Sequence, residues 1–325
     1  MSLIIDGLLA ILAIYLALQS LLAPRLTQSV FLFFAFGLAL ALAWIRLAAV
    51  DVAITEAAIA AGFLGVLFLD ALRDFAPRIP AKNEAVQKQY SKSQTKSLFL
   101  PRLTLWAGLG LFLLIALEAV WKIPEGGGLT AAAGTLLPES GVENPVTAVL
   151  LNFRAYDTWL EMGVILIGLL AVFAAGGKMA YRKPGVASQD PLLRQVILFF
   201  TPVLFLFGAF LLYIGKTGPG GAFQAGVLWG AIGILLHLGG WPFIALMPRW
   251  LGQLLLTVGL GFFLVLGFLF MAAGGALFEY PPAYAGILIL IIETLAAISI
   301  AAALSAIFAL LNQIGEEADE IESTT

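Results

Sequence analysis

Apolar runs of about 20 residues, the length a helix needs to cross the hydrocarbon of a bilayer, recur along this chain. They fall at roughly 3–22, 29–48, 51–72, 101–121, 157–177, 192–213, 223–243, 251–271 and 283–311. The pattern predicts an all-α polytopic membrane protein with about nine transmembrane helices. The second and third runs form one stretch, Val30 to Leu72, without a proline. As a single helix it would be about twice the hydrocarbon thickness. It must therefore fold back, and Arg46 to Asp51 is the polar break available. The first run carries Asp6 and no basic segment ahead of it, so it reads as a retained span rather than a cleaved signal.

Composition agrees with a lipid solvent. Hydrophobic residues make up 61% and charged residues 11%, against roughly 45–50% and about 25% in soluble domains. The 325 residues cannot bury so much apolar surface in water. No basic patch asks for nucleic acid. With no cysteine and one histidine, His237, the chain is expected to hold no thiolate zinc, iron–sulfur or other protein-ligated metal site and no cofactor. Any redox chemistry belongs to another subunit. Five of the 20 acidic residues lie in the last ten positions, so the net charge of −3 says little about partners.

Lysine and arginine placement predicts orientation. Arg73, Arg78, Lys82, Lys88, Lys92, Lys96 and Arg102 make the segment around 73–102 cytoplasmic. Threading nine spans outward from it puts the N-terminus outside and the C-terminus inside, with 13 basic residues inside and four outside. Hydrophilic stretches at about 73–100 and 178–190 read as linkers and cut the chain into three membrane blocks, the middle one holding an outer loop, 122–156.

Ionisable groups inside spans cost several kcal/mol unless partnered, so they are candidates for function. Asp51 and Glu56 fall in the first turns of the third span, Glu118 in the last turn of the fourth, Asp157 and Glu161 in the first turns of the fifth, and Glu293 near the midplane of the ninth. Glu56 and Glu161 lie too deep for capping, while the other four have a plainer reading. Asp51 serves as a helix-start carboxylate, Glu118 pairs with Lys122, and Asp157 pairs with Arg154. Glu293 as a neutral acid makes an interhelical hydrogen bond. His237 reads as an interface residue. Small-residue stripes at Ala53, Ala57, Ala61 and Gly65, and at Gly226 and Gly230, mark faces where helix backbones approach closely.

One segment is heavily punctuated: Gly215-Lys-Thr-Gly-Pro-Gly-Gly-Ala-Phe-Gln-Ala-Gly226. Lys216, Pro219, Gly220, Gly221 and Phe223 stand in a turn that opens into the seventh span. The free N–H groups of that helix start suit an anion or carboxylate. The plainer reading is a tight hairpin between two spans.

These residues carry a resemblance. Asp-Val-Ala-Ile-Thr-Glu-Ala (51–57) is similar to a motif in the C-terminal part of the large MrpA component of Mrp-type cation/proton antiporters. The same element is the separate MbhD component of membrane-bound hydrogenases. Asn-Phe-Arg-Ala-Tyr-Asp-Thr-Trp-Leu-Glu (152–161) resembles the following, MbhE-type segment. The 215–226 segment resembles the Gly-His-x-x-Pro-Gly-Gly-Gly-Phe-x-Gly-Gly motif of the MnhB or MbhF type. Three departures stand out: Lys216 replaces the motif's histidine, and Ala222 and Ala225 replace two glycines.

The resemblance implies a fusion of small subunits. Its parts are an MbhD-like three-helix block (1–77), a cytoplasmic linker (78–100), an MbhE-like two-helix block (101–180), an MnhB/MbhF-like four-helix block (191–312) and an acidic cytoplasmic tail (313–325). The function implied is that of an integral subunit of an Mrp-like Na+/H+ antiporter or related complex-I-like assembly in a bacterial or archaeal cytoplasmic membrane. It would be a transport subunit rather than an enzyme. Its partners would be other Mrp-like subunits, including large antiporter-like ones expected on separate chains, and its cargo Na+, H+ or both. Asp51, Glu56, Glu118, Asp157, Glu161 and Glu293 are the candidate ion pathway. The alternative is a non-conducting adaptor that docks antiporter-like subunits to a redox or anion-uptake module.

Overall fold

The computed structural model describes residues 2–63, 99–122, 130–175, 191–241 and 247–324, all helices and turns without a strand. The helices are α1 (Ser2–Leu22), α2 (Leu26–Arg46), α3 (Val50–Ala57), α4 (Phe99–Trp121), α5 (Thr130–Leu136), α6 (Pro145–Ala148), α7 (Ala155–Ala174), α8 (Pro191–Ile214), α9 (Ala222–Leu238), α10 (Arg249–Ala272) and α11 (Pro282–Thr324). The chain forms two compact units, one of Met1–Leu72 with Ala133–Thr325, the other Arg73–Ala132. In the second lies α4, whose Lys122 Nζ pairs with Glu118 at 2.5 Å on an exposed face.

Six helices among the described residues are long and apolar enough to cross a membrane, fewer than the nine expected. The shortfall has local causes. α9 has 17 residues because the glycine turn delays its start and Gly239–Gly240, with Gly240 at φ 80°, ends it. α3 gives way after Ala57 to a π-helical turn, Ala58–Phe63, and the rest of that run lies outside the described residues. The described apolar part of the fourth run is Gly110–Ala119.

The fold-back between α2 and α3 occurs at the expected break. Ala49 N–H reaches the Trp44 carbonyl (2.9 Å) while Ala48 adopts φ 59°, a Schellman closure with alanine where glycine is usual. Arg46 Nε, at the end of α2, pairs with Asp6 Oδ1 of α1 at 2.8 Å.

Helix also forms in the described part of the 122–156 loop and in the acidic tail. The 122–156 loop contains α5, α6, a 3-10 turn (Leu137–Glu139) and a π turn (Val149–Phe153). Asn144 makes α6 possible, since its side chain caps Val146 N–H (3.0 Å) and Pro145 follows at the first helical position. The acidic tail does not leave the helix: α11 continues to Thr324.

The core forms where α7, α9 and α10 pack on α11. Phe263, Ile289, Ile292, Ala225 and Ala297 are fully buried there. The Gly226–Gly230 stripe, expected to face another helix, faces α11: a Cβ on Gly226 would stand 2.8 Å from Ile300, and one on Gly230 3.2 Å from Leu304. Ser305 Oγ also donates to Gly230 O (3.2 Å). Such close backbone approach is how helices associate where lipid removes the hydrophobic drive between them.

Candidate functional site

The turn between α8 and α9 is a meeting point for α3, α11 and the segment around Asn144 and Thr147. Leu211 O, in the last turn of α8, accepts from Gly215 N–H (3.1 Å) and again from Gly221 N–H (3.0 Å), which closes the loop. Gly221 sits at φ 127°, a conformation L-residues rarely adopt. From the 122–156 region, Asn144 Nδ2 donates to Gly215 O (3.2 Å) and Gly218 O (2.8 Å), and Thr147 Oγ1 donates to Gly215 O (2.6 Å). Lys216 O accepts from the N–H groups of Glu143 and Asn144, both at 2.8 Å. Asn144 and Thr147 are buried, and each such bond satisfies a carbonyl that would otherwise be stranded.

Two carboxylates occupy the N–H side of the same turn. Gly220 N–H donates to Asp51 Oδ1 (2.9 Å), and Gln224 Nε2 donates to the Asp51 carbonyl (3.2 Å). Ala222 N–H, the first of α9, donates to the Glu293 carboxylate. Gly221 lies against it, since a Cβ there would stand 2.8 Å from Glu293 Oε1. The helix start therefore meets carboxyl groups, which its free N–H groups suit, and they are the protein's own side chains.

Glu293 is 3% exposed, and its Oε2 has no hydrogen-bond partner among the described residues. Stranding a carboxylate oxygen costs more than the roughly 1–3 kcal/mol of a neutral polar group, unless a ligand, proton or water meets it. A cavity of about 260 Å3 lies beside it, with room for several waters. Asp51, Glu161, Glu293, Thr147, Thr158 and Gln224 contribute its polar groups, and Val52, Leu150, Leu151 and Phe223 are among its mostly apolar walls. Glu161 is exposed and Glu293 buried, so the two acids mark an open and a closed part of one space. Lys216 is outside the lining but within electrostatic range of Glu293.

The remaining candidates lie elsewhere. Glu56 turns to α2, its Oε1 3.7 Å from the Cβ position of Gly37. Asp157 pairs with Arg154 (2.6 Å), with both side chains substantially exposed, and does not line the cavity. Glu118 belongs to the other unit. His237 stacks edge-on against Phe308 (5.6 Å). Tyr280 is a second buried group whose hydroxyl lacks a partner among the described residues. Burial pushes its phenol above the ordinary range, and it is not among the residues that line the cavity. π turns precede α7 and follow α3, the two helices that supply Glu161 and Asp51, in keeping with the frequent association of π turns with functional sites.

Sequence reasoning missed Asn144, Thr147, Thr158 and Gln224. Asn144-Pro145 was a legible helix-start signal, but nothing local pointed from it to a turn 71 residues away.

Comparison with known families places these segments. Residues 11–77 match the MbhD family, a component of the MBH assembly, and residues 192–312 match the MnhB family, a "Domain related to MnhB subunit of Na+/H+ antiporter". One chain thus carries an MbhD-family segment followed by an MnhB-related segment. The chain also shares its fold with a chain of the Mrp complex from Dietzia sp. DQ12-45-1b, with a TM-score of 0.64 at 20% identity over 92% of its own length. It spans about a third (34%) of that longer chain. In family terms, Asp51 stands in the MbhD segment and the glycine turn and Glu293 in the MnhB segment.

Proposed function

We propose that the fused subunit is an integral, non-enzymatic part of an Mrp-like cation (Na+)/proton antiporter and that its cavity forms part of the ion pathway. Its middle segment (101–180) acts as an MbhE-like block between the other two, and separate large antiporter-like subunits related to complex I carry the main proton channels. The observation that supports this reading is Glu293: a buried carboxylate with one unpartnered oxygen, beside a cavity that Glu161 shares. Ions or protons enter at Glu161 and reach Glu293.

The test uses the assembled complex in membrane vesicles. Glu293→Gln and Glu161→Gln keep side-chain shape and hydrogen bonding but remove the titratable group. Each is expected to lower coupled cation/proton exchange about tenfold or more with assembly intact, a typical scale for loss of a positioned proton-transfer group. Asp157→Asn, with its charge already paired to Arg154 at the surface, is expected to be milder. Undiminished exchange in an assembled Glu293→Gln complex overturns the conduction reading and leaves the adaptor role.

The proposed orientation has the N-terminus outside, supported by the distribution of basic residues. Single cysteines at Ser93 and at exposed Glu139 are expected to react from opposite sides of the membrane. Labelling of both from the same side refutes the threading.

A further inference from the structure

The cavity-lining acids are not equivalent. Asp51 has its Oδ1 occupied by Gly220 N–H and its carbonyl by Gln224 Nε2 and Thr55 Oγ1 (3.0 Å). Glu293 has one oxygen unoccupied. Between the two run only Gly220, Gly221 and Ala222. Gly220 is fixed on one side by Asp51, and a Cβ on it would strike Leu211 O on the other. Gly221 is fixed by its own bond to Leu211 O, at a φ that leaves the next N–H pointing to Glu293. Displacing Gly220 therefore moves the backbone donor that holds the Glu293 carboxylate.

We propose that Asp51 is a positioning residue: it clamps the Gly220–Ala222 turn so that the Ala222 N–H orients the Glu293 carboxylate, and it does not itself carry the ion. The proposal rests on the ion-pathway reading for its consequence in transport, but not for its geometry. What Asp51 supplies to the turn is an acceptor oxygen at one place; its charge also lies within electrostatic range of Glu293, and position is the larger contribution. The arrangement also lets the MbhD segment control a carboxylate in the MnhB segment, through a turn that belongs to the latter.

Two substitutions separate position from charge. Asp51→Asn keeps an acceptor oxygen where Oδ1 stands and removes the charge. Asp51→Glu keeps the charge and moves the acceptor by one methylene, about 1.5 Å. Both are made in the full complex. The first readout is the rate at which a hydrophobic carbodiimide modifies Glu293, followed by peptide mass spectrometry. The second is antiport as a function of cation concentration. Asp51→Asn is expected to keep Glu293 modification within about twofold of wild type and to lose clearly less antiport than Asp51→Glu. Asp51→Glu is expected to change Glu293 modification severalfold. It should also lower the maximal antiport rate about tenfold, the order of loss that ångström-scale misplacement brings, with the half-saturating cation concentration little changed.

The reverse pattern, with Asn inactive and Glu tolerated, makes Asp51 an ion carrier and overturns the proposal. Equal behaviour of the two variants, both wild-type or both impaired, overturns it as well. If Glu293→Gln leaves antiport intact, the ion-pathway reading falls, while carbodiimide modification still decides whether Asp51 positions Glu293. If either variant fails to assemble, Gly221→Ala, whose Cβ would meet Glu293 Oε1, replaces Asp51→Glu as the displaced state. Wild-type Glu293 modification in that variant counts against the proposal.

Discussion

The α1–α2 hairpin and the α9–α11 pair are both apolar, yet they use their apolar surface in opposite ways. Of the membrane-length part of α1, 11% is buried within the chain, against 44% of that of α11. Leu8, Ile11 and Ile14 on α1 stand open, whereas Ile289, Ala297 and Ala306 on α11 are sealed. Hydropathy says which segments leave water. What each segment then packs against is set by small residues and polar anchors. α9 brings Gly226, Gly230 and Gly233 to α11, and Ser305 and Ser299 hydrogen-bond across to α9 and α10. A Cβ on Gly7 of α1 would meet nothing within 4 Å, and the hairpin's charged tie is one partly exposed pair, Arg46 with Asp6. Such a pair contributes about 0–1 kcal/mol.

The largest effect should come from filling the tight face. Gly226→Leu places bulk where a Cβ alone is 2.8 Å from Ile300, and overpacking of this kind costs about 1–3 kcal/mol or more. The expected outcome is a lower melting temperature and less assembled complex, read by thermal shift and blue-native gels. Unchanged stability would mean that α9 and α11 do not approach as described. The smallest effect should come from Gly7→Leu, which meets open space and gains helix propensity. Stability is expected to stay within about 0.5 kcal/mol of wild type. Loss of complex without loss of the subunit's own melting temperature would show that this face of α1 is covered by another subunit, and would sharpen the contrast into one between internal and external packing.

Features set by residues a turn apart were legible in the sequence. Arg154–Asp157 and Glu118–Lys122 are neighbours on a helix surface whatever the tertiary fold, and the break at Arg46–Asp51 follows from length alone. The parting of Asp51 and Glu56 was legible too, in a way easily overlooked. Five residues at 3.6 per turn place them well apart around the helix, so one faces the glycine turn and the other α2. The clasp of Asn144 and Thr147 on Gly215 was not legible, because it joins residues 71 and 68 apart and periodicity carries no information at that range. Glu293 reads from its position as a midplane acid, but its proximity to Ala222 depends on the register of α9 against α11. That register is set by where Gly226 meets Ile300.

The length of α11 decides what it joins. Its 43 residues run from Pro282 to Thr324, about 65 Å at 1.5 Å per residue, and no proline interrupts them after the first. An uninterrupted helix joins its two ends through one continuous ladder of backbone hydrogen bonds. Glu293 lies on this helix eleven residues from Pro282, and the acidic residues from Glu316 to Glu322 lie at its far end. The buried acid and the acidic end of the chain therefore lie on one helix with no loop between them.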